Sequence, residues 1–268
     1  MGFSRYNGCG NTFFMTRYRE GFDYSEVAIK VCNRSKCLTD GLIVVKTDPL
    51  EMVVYNRDGS QSPMCGNGIR CFALYCLNEN IIPSDVKIFD VMTGAGVMKV
   101  EIISTEPFLC RINLGKPIFT SSALGLADMG PFINRRLMVG AQEVDIHAIF
   151  MGTIHTVIFV PEAASMVGNP LGEAICNHPI FTQKTNVNFV QVKSESELII
   201  RTYERGVGWT KACGTGCAAS YVIAKLFGHI LGEVKVHLEQ GDLLFTGDDE
   251  IFMTGSAQCE MVNGVGEI

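Results

Sequence analysis

The sequence lacks the signatures of several large functional classes. No Cys-x-x-Cys pair occurs among its 11 cysteines, which removes the thioredoxin-type redox motif and the common zinc knuckle. No Gly-x-Gly-x-x-Gly opens a helix and no phosphate-loop pattern is present, so the usual dinucleotide and triphosphate fingerprints are missing. The most apolar stretch, 146–160, is too short to span a bilayer and holds two histidines. No apolar N-terminal segment reads as a secretory leader. Positive charge is scarce: 22 Lys and Arg face 28 Asp and Glu, a net charge of -6. That balance argues against nonspecific binding to nucleic acid or to an anionic membrane, since both need a positive field.

What is present is a chain of 268 residues, 47% hydrophobic and 19% charged, with 28 glycines. Its length allows one large core or two cores of roughly 100–150 residues each. Eleven cysteines at this length are too sparse for a disulfide scaffold. The expectation is a cytoplasmic protein whose thiols are mostly free.

An internal repeat organises the chain. Leu50-Glu-Met-Val-Val-Tyr-Asn-Arg57 and Leu198-Ile-Ile-Arg-Thr-Tyr-Glu-Arg205 are strand-like runs ending Tyr-x-Arg, each followed by a Gly-containing turn. Eight residues after each Arg comes Cys-Gly-x-Gly, as Cys65-Gly-Asn-Gly68 and Cys213-Gly-Thr-Gly216, the second motif 148 residues after the first. The strand-like 39–45 likewise parallels 186–192. Apolar residues at i, i+3 and i+4 predict helices over 69–77 and 218–227. Alternation at period two predicts strands at 98–102 and 234–238. Strands outnumber helices and do not alternate with them one for one, which disfavours a doubly wound sheet. The prediction is an α/β (α+β) fold of two pseudo-symmetric domains, each a curved, mostly antiparallel sheet or barrel around a central helix. The boundaries fall at 1–110 plus 258–268 for the domain carrying Cys65, and 111–257 for the domain carrying Cys213.

Duplication places equivalent residues on opposite walls of a cleft between two copies, and here those residues are Cys65 and Cys213. Each precedes a Gly-rich helix start, where unpaired amides and the helix dipole lower a thiol pKa and attract a carboxylate. Two thiols on opposite faces of a carbon beside a held carboxylate suit proton removal from one face and return to the other. The developing charge needs preorganised amides in a dry site. The plain reading of a cysteine is a small buried hydrophobe. Cys9, Cys32, Cys71, Cys76, Cys110, Cys176 and Cys259 are read that way. Cys217 reads as helix packing, with a resolving thiol or metal pair as its alternative. Packing alone does not explain two Gly-flanked thiols at duplicated positions.

These residues resemble a known family. Met64-Cys-Gly-Asn-Gly-Ile-Arg-Cys71, and Glu204-Arg-Gly-Val-Gly208 followed by Ala212-Cys-Gly-Thr-Gly216, are similar to the two signature motifs of diaminopimelate epimerases, which are cofactor-independent two-cysteine enzymes. The resemblance also covers Tyr6-Asn-Gly-Cys-Gly-Asn-Thr-Phe13, Asn56-Arg-Asp-Gly-Ser60 and Asn186-Val-Asn-Phe189. It implies that Cys65 and Cys213 form the acid/base pair, with His155 paired to the first thiol and Glu204 to the second. It implies carboxylate-holding amides at Gly66, Asn67, Gly214 and Thr215, and substrate contacts at Asn11, Asn56, Asn186 and Arg205. Arg205 would clamp a distal carboxylate by a bidentate fork. The bland readings are a satisfied strand histidine, a turn carboxylate and a turn-bracing arginine.

The chain departs from the family pattern at three places. Thr153, within Gly152-Thr-Ile-His155, replaces an asparagine that contacts the distal end of diaminopimelate. Trp209 replaces a carboxylate and is a candidate specificity residue. The loop Ser35-Lys-Cys-Leu-Thr-Asp-Gly41 replaces a glycine-rich one. All three touch substrate recognition and leave the chemistry intact. The resulting expectation is an isomerase, epimerising LL-diaminopimelate to the meso form without cofactor or metal. The alternatives are a racemase of another amino acid such as histidine, or a thiol-rich binding protein without catalysis. The partner is a small amino-acid substrate, and the resemblance adds a homodimer.

Overall fold

The computed structural model describes residues 2–33, 38–126 and 130–262. Ser35, Lys36 and Cys37 of the departing loop lie outside the described residues, as does the end of the first predicted domain beyond 262. The chain forms two compact units, one of residues 1–113 with 254–268 and the other of 114–253.

The first unit begins with strands β1 (Ser4–Gly8) and β2 (Asn11–Arg17), then helix α1 (Tyr24–Cys32). Strands β3 (Gly41–Thr47), β4 (Leu50–Asn56) and β5 (Gln61–Ser62) lead into helix α2 (Gly66–Asn78), and β6 (Ile88–Thr93), β7 (Gly96–Thr105) and β8 (Phe108–Asn113) follow. In the second unit, β9 (Arg135–Val139), β10 (Gln142–Phe150) and β11 (Ile154–Phe159) precede helix α3 (Leu171–Cys176). Then come β12 (Asn186–Ser194), β13 (Glu197–Glu204), β14 (Gly208–Thr210), helix α4 (Gly214–Leu226), β15 (Val234–His237) and β16 (Asp242–Thr246). The chain re-enters the first unit within β17 (Phe252–Ser256) and ends its described part at β18 (Gln258–Met261).

The repeat read from sequence is a repeat of topology. β2 pairs parallel to β3 across α1, β3 pairs antiparallel to β4, and β4 pairs parallel to β6 across α2. In the other unit β11 pairs parallel to β12 across α3, β12 antiparallel to β13, and β13 parallel to β15 across α4. Most remaining pairings are antiparallel hairpins, including β1–β2, β6–β7, β7–β8, β9–β10 and β15–β16. This is the mixed, sheet-rich α+β fold the sequence predicts.

α2 and α4 are the central helices. α2 buries Ile69, Cys71, Phe72, Ala73, Tyr75 and Cys76, and α4 buries Cys217 to Tyr221 with Ile223 and Ala224. Apolar burial all round fits a helix packed on a sheet, at about 1.5–3 kcal/mol for each large side chain. Burial pushes the thiols of Cys71 and Cys76 far up, and that of Cys110 up to about 12. These three, with Cys32, Cys176 and Cys217, act as small core hydrophobes. Cys9 and Cys259 are only half-buried. Among the described residues no helix is long and apolar enough to cross a membrane.

Candidate active site

Both motif cysteines are N-caps. Cys65 caps α2 from an extended conformation (φ -138°, ψ 115°), and Cys213 caps α4 in nearly the same one (φ -130°, ψ 104°). An N-cap side chain sits over the unpaired amides of the first helical turn. Cys65 Sγ accepts the Gly68 amide at 3.3 Å. The second glycine of each motif keeps that turn free. A Cβ on Gly68 would lie 2.9 Å from Ile43 Cδ1, and one on Gly216 would run into Asn188 Oδ1.

In the first unit, Asn67 donates from Nδ2 to Asn11 Oδ1 at 2.7 Å, which joins β2 to the opening turn of α2. Asn56 is held in its own turn, donating to Ser60 Oγ at 2.9 Å. Beneath the turn lies Arg70, fully buried and absent from the sequence-based site. It donates to the Gly66 and Ser256 carbonyls, each at 3.0 Å, and to Cys9 Sγ at 3.2 Å.

In the second unit, Glu204 and Thr215 lie against Cys213, and His155, which the family resemblance pairs with the first thiol, reaches Thr215. Thr215 Oγ1 lies 3.7 Å from Cys213 Sγ and 3.1 Å from His155 Nε2. Glu204 accepts the Thr210 hydroxyl at 2.7 Å, and the Cys213 thiol also bonds to its carboxylate. Burial raises the Glu204 pKa, and these two hydrogen bonds offset part of the rise. Burial pushes the His155 pKa down to about 3, helped by the Arg205 charge, so the imidazole is neutral. At Cys213 the helix-terminus argument meets a stronger opponent. Burial raises its pKa well above the ordinary thiol value, and the Glu204 and Cys217 charges add to the rise. The Gly216 amide and Thr215 hydroxyl offset only part of it. At rest, therefore, Cys213 is a thiol, where position at a helix start alone predicted an acidified one.

The remaining candidates fall nearby in sequence and fold. Asn186 Oδ1 accepts the Arg205 backbone amide at 2.9 Å, and the Arg205 guanidinium donates to the Gln183 carbonyl at 2.9 Å. Thr153 sits in the turn between β10 and β11, and its buried hydroxyl has no hydrogen-bond partner among the described residues. Trp209 stacks on Phe189 at 5.6 Å, meets Tyr203 edge-on and packs beside Gly172. Those contacts pack it, partly buried, against the hydrophobic core of its unit. Asn188, another residue the sequence reading passed over, touches His155 directly. Its signal was available: residues two apart on a strand share a face, and Asn186 had already been singled out.

The fold of this chain recurs in solved structures of other proteins. A hydroxyproline epimerase from Agrobacterium vitis superposes with a TM-score of 0.69, covering 98% of this chain and 90% of that one at 10% identity. A phenazine biosynthesis protein of the PhzF family from Bacillus anthracis gives 0.71, covering 97% and 96% at 13% identity. At such identities the likeness is one of fold alone. Sequence comparison is more specific. The model of the diaminopimelate epimerase family matches residues 3–120 and 147–260. A diaminopimelate epimerase from Halothermothrix orenii is 37% identical, over 96% of this chain and 95% of its own length. The chain belongs to the diaminopimelate epimerase family, and it is an isomerase of the epimerase class.

Proposed function

We propose that the chain converts LL-diaminopimelate to the meso form by a two-base mechanism in which Cys65 and Cys213 are the acid/base groups. The observation that carries this reading is the duplicated N-cap: two extended cysteines, each opening a buried helix with Gly-Asn-Gly or Gly-Thr-Gly. One thiolate removes the α-proton and becomes a thiol. The other thiol delivers a proton to the opposite face and becomes the thiolate, so the net change is inversion. Cys213, held as a thiol beside Glu204, takes the acid role first, and Cys65 is assigned the base. The amides of Gly66, Asn67, Gly214 and Thr215 hold the reacting carboxylate and the charge that develops on it.

Arg205 is assigned to the distal carboxylate, and Thr153, with its unpartnered hydroxyl, to the same end of the substrate. Asn11, Asn56 and Asn186 complete the contacts. Trp209 is accounted for by packing, which removes the main reason to assign a smaller substrate such as histidine. The same reading includes a cytoplasmic setting, a homodimer, no nucleic-acid partner and no need for metal or pyridoxal phosphate.

The test is a panel of L-amino acids in deuterated water, read by proton NMR. LL-diaminopimelate should lose its α-proton signal as the meso isomer appears, with EDTA making no difference. Exchange of histidine but not of diaminopimelate would overturn the substrate. Arg205→Ala should raise KM for diaminopimelate roughly a hundredfold, about the worth of a bidentate charged pair, with a smaller change in kcat. An unchanged KM would remove Arg205 from the distal carboxylate.

A further inference from the structure

We propose that Asn188 is a positioning residue that fixes His155 in its Nε2–H tautomer, so that the chain Asn188–His155–Thr215 ends in a hydroxyl proton directed at the Cys213 sulfur. The inference deepens the proposed function and rests on it for the role of Cys213.

The direction of the chain follows from which groups can donate. Asn188 is fully buried on β12. One atom of its amide lies 3.0 Å from the Thr156 carbonyl oxygen, which can only accept, so that atom is the nitrogen. The amide oxygen accepts the Thr202 hydroxyl at 3.0 Å on the neighbouring strand β13. The same nitrogen lies 3.2 Å from His155 Nδ1, which must therefore present its lone pair. A neutral imidazole with Nδ1 bare carries its proton on Nε2. That proton faces Thr215 Oγ1 at 3.1 Å. With its oxygen accepting from histidine, Thr215 turns its own hydrogen toward Cys213 Sγ, 3.7 Å away.

The chain matters because of what else faces the sulfur. Glu204 from β13 and Cys217 from α4 both oppose a thiolate at Cys213, and the Arg205 guanidinium is the cation that acts on His155. A hydroxyl donating to the sulfur favours the thiolate that forms when Cys213 gives up its proton. The Asn188 side chain cannot drift, since all its polar atoms are engaged. Gly216 is the matching concession on α4, because any Cβ there would strike Asn188 Oδ1.

The test reads the tautomer and the thiol without needing turnover. In protein carrying nitrogen-15 histidine, long-range proton–nitrogen spectra should show His155 with Nε2 protonated and Nδ1 bare throughout the range where an ordinary histidine titrates. Asn188→Asp replaces the donor with an acceptor, which should move the proton to Nδ1 and reverse the Thr215 hydroxyl. The pH midpoint for iodoacetamide alkylation of Cys213, followed by peptide mass spectrometry, should then rise by roughly one unit, the tenfold worth of one charge-assisted hydrogen bond. Thr215→Val should give the same rise. Adding Asn188→Asp to Thr215→Val should give no further rise, because both cut one chain. A purely structural role predicts independent effects instead. A wild-type His155 protonated on Nδ1, or an unchanged Cys213 midpoint in both single variants, would overturn the proposal. Should Asn188→Asp fail to fold, the wild-type tautomer and Thr215→Val still decide it. Failure of the epimerase reading would appear separately, as absent α-proton exchange in wild-type protein whose tautomer and alkylation profile are as expected.

Discussion

Cys65→Ala and Cys213→Ala should each lower the rate of diaminopimelate inversion roughly a thousandfold or more. On the proposed two-base mechanism each removes one of two groups that act in the same catalytic event, and an acid/base group is worth about two to four powers of ten. The two-base mechanism makes a finer claim. A variant left with one thiol retains a base for one face only, so the two variants should wash deuterium into opposite isomers without interconverting them. The resting thiol at Cys213 adds a pH dependence. The direction in which Cys213 is the acid needs it protonated, and burial together with Glu204 keeps it so into the alkaline range. The reverse direction uses the form with the proton on Cys65 instead. Because both forms carry one proton and the equilibrium constant does not vary with pH, kcat/KM in the two directions should follow one pH profile, falling in acid as both thiols become protonated. His155, pushed down to about 3, should contribute no limb to that profile. Steady-state inversion rates and NMR exchange in both directions measure all of this. Near wild-type inversion in either alanine variant would end the two-thiol assignment.

Much of this architecture is legible in the sequence because duplication writes it twice. The spacing of 148 residues between Cys65 and Cys213 corresponds to the same strand–helix–strand path in each unit. The central strand β3 announces itself as an apolar run, and β12 through its likeness to that segment. The helix starts were less visible. Periodicity placed them at Ile69 and Ala218, whereas α2 and α4 begin at Gly66 and Gly214, because a first turn built of glycines carries no apolar stripe. α1 went unread although Asp23 and Glu26 stand at capping spacing and Val27, Ala28, Val31 and Cys32 fall on one buried face. The two N-cap cysteines were legible as a repeated motif, and the residues packed around them were not. Electrostatics at Cys213 depends on how deep a side chain sits, and no local pattern states depth. Asn188 acts through His155, thirty-three residues earlier, a contact made only when β11 and β12 pair in parallel.

Arg70 is the extreme case of such a support, and its replacement should have the largest effect on stability. Arginine is ordinarily exposed, since its charge is almost never buried unless engaged. Arg70 is instead wholly enclosed, with its guanidinium donating to the Gly66 carbonyl at 3.0 Å, to the Ser256 carbonyl at 3.0 Å and to Cys9 Sγ at 3.2 Å. Arg70→Met keeps most of the volume and removes every donor. The Ser256 carbonyl and the half-buried Cys9 sulfur would then face an apolar side chain, and the Gly66 carbonyl would keep only its helical bond, at about 1–3 kcal/mol for each acceptor left unmatched. The expected loss is about 3 kcal/mol, or roughly 6–12 °C in Tm for a chain of this size. Arg70→Lys should lose less, since an ammonium keeps the charge and reaches some of the acceptors but not with the same planar spread. Calorimetry of the three proteins checks the order. A Met variant melting within about 1 °C of wild type would mean that the guanidinium is not what closes this corner. The functional consequence is the sharper one. Gly66 is the first residue of α2, so a shift there moves the turn whose amide meets Cys65 Sγ. Below its lowered Tm the folded Met variant should therefore lose kcat for inversion, while the alkylation profile of Cys213, in the other unit, stays where it was.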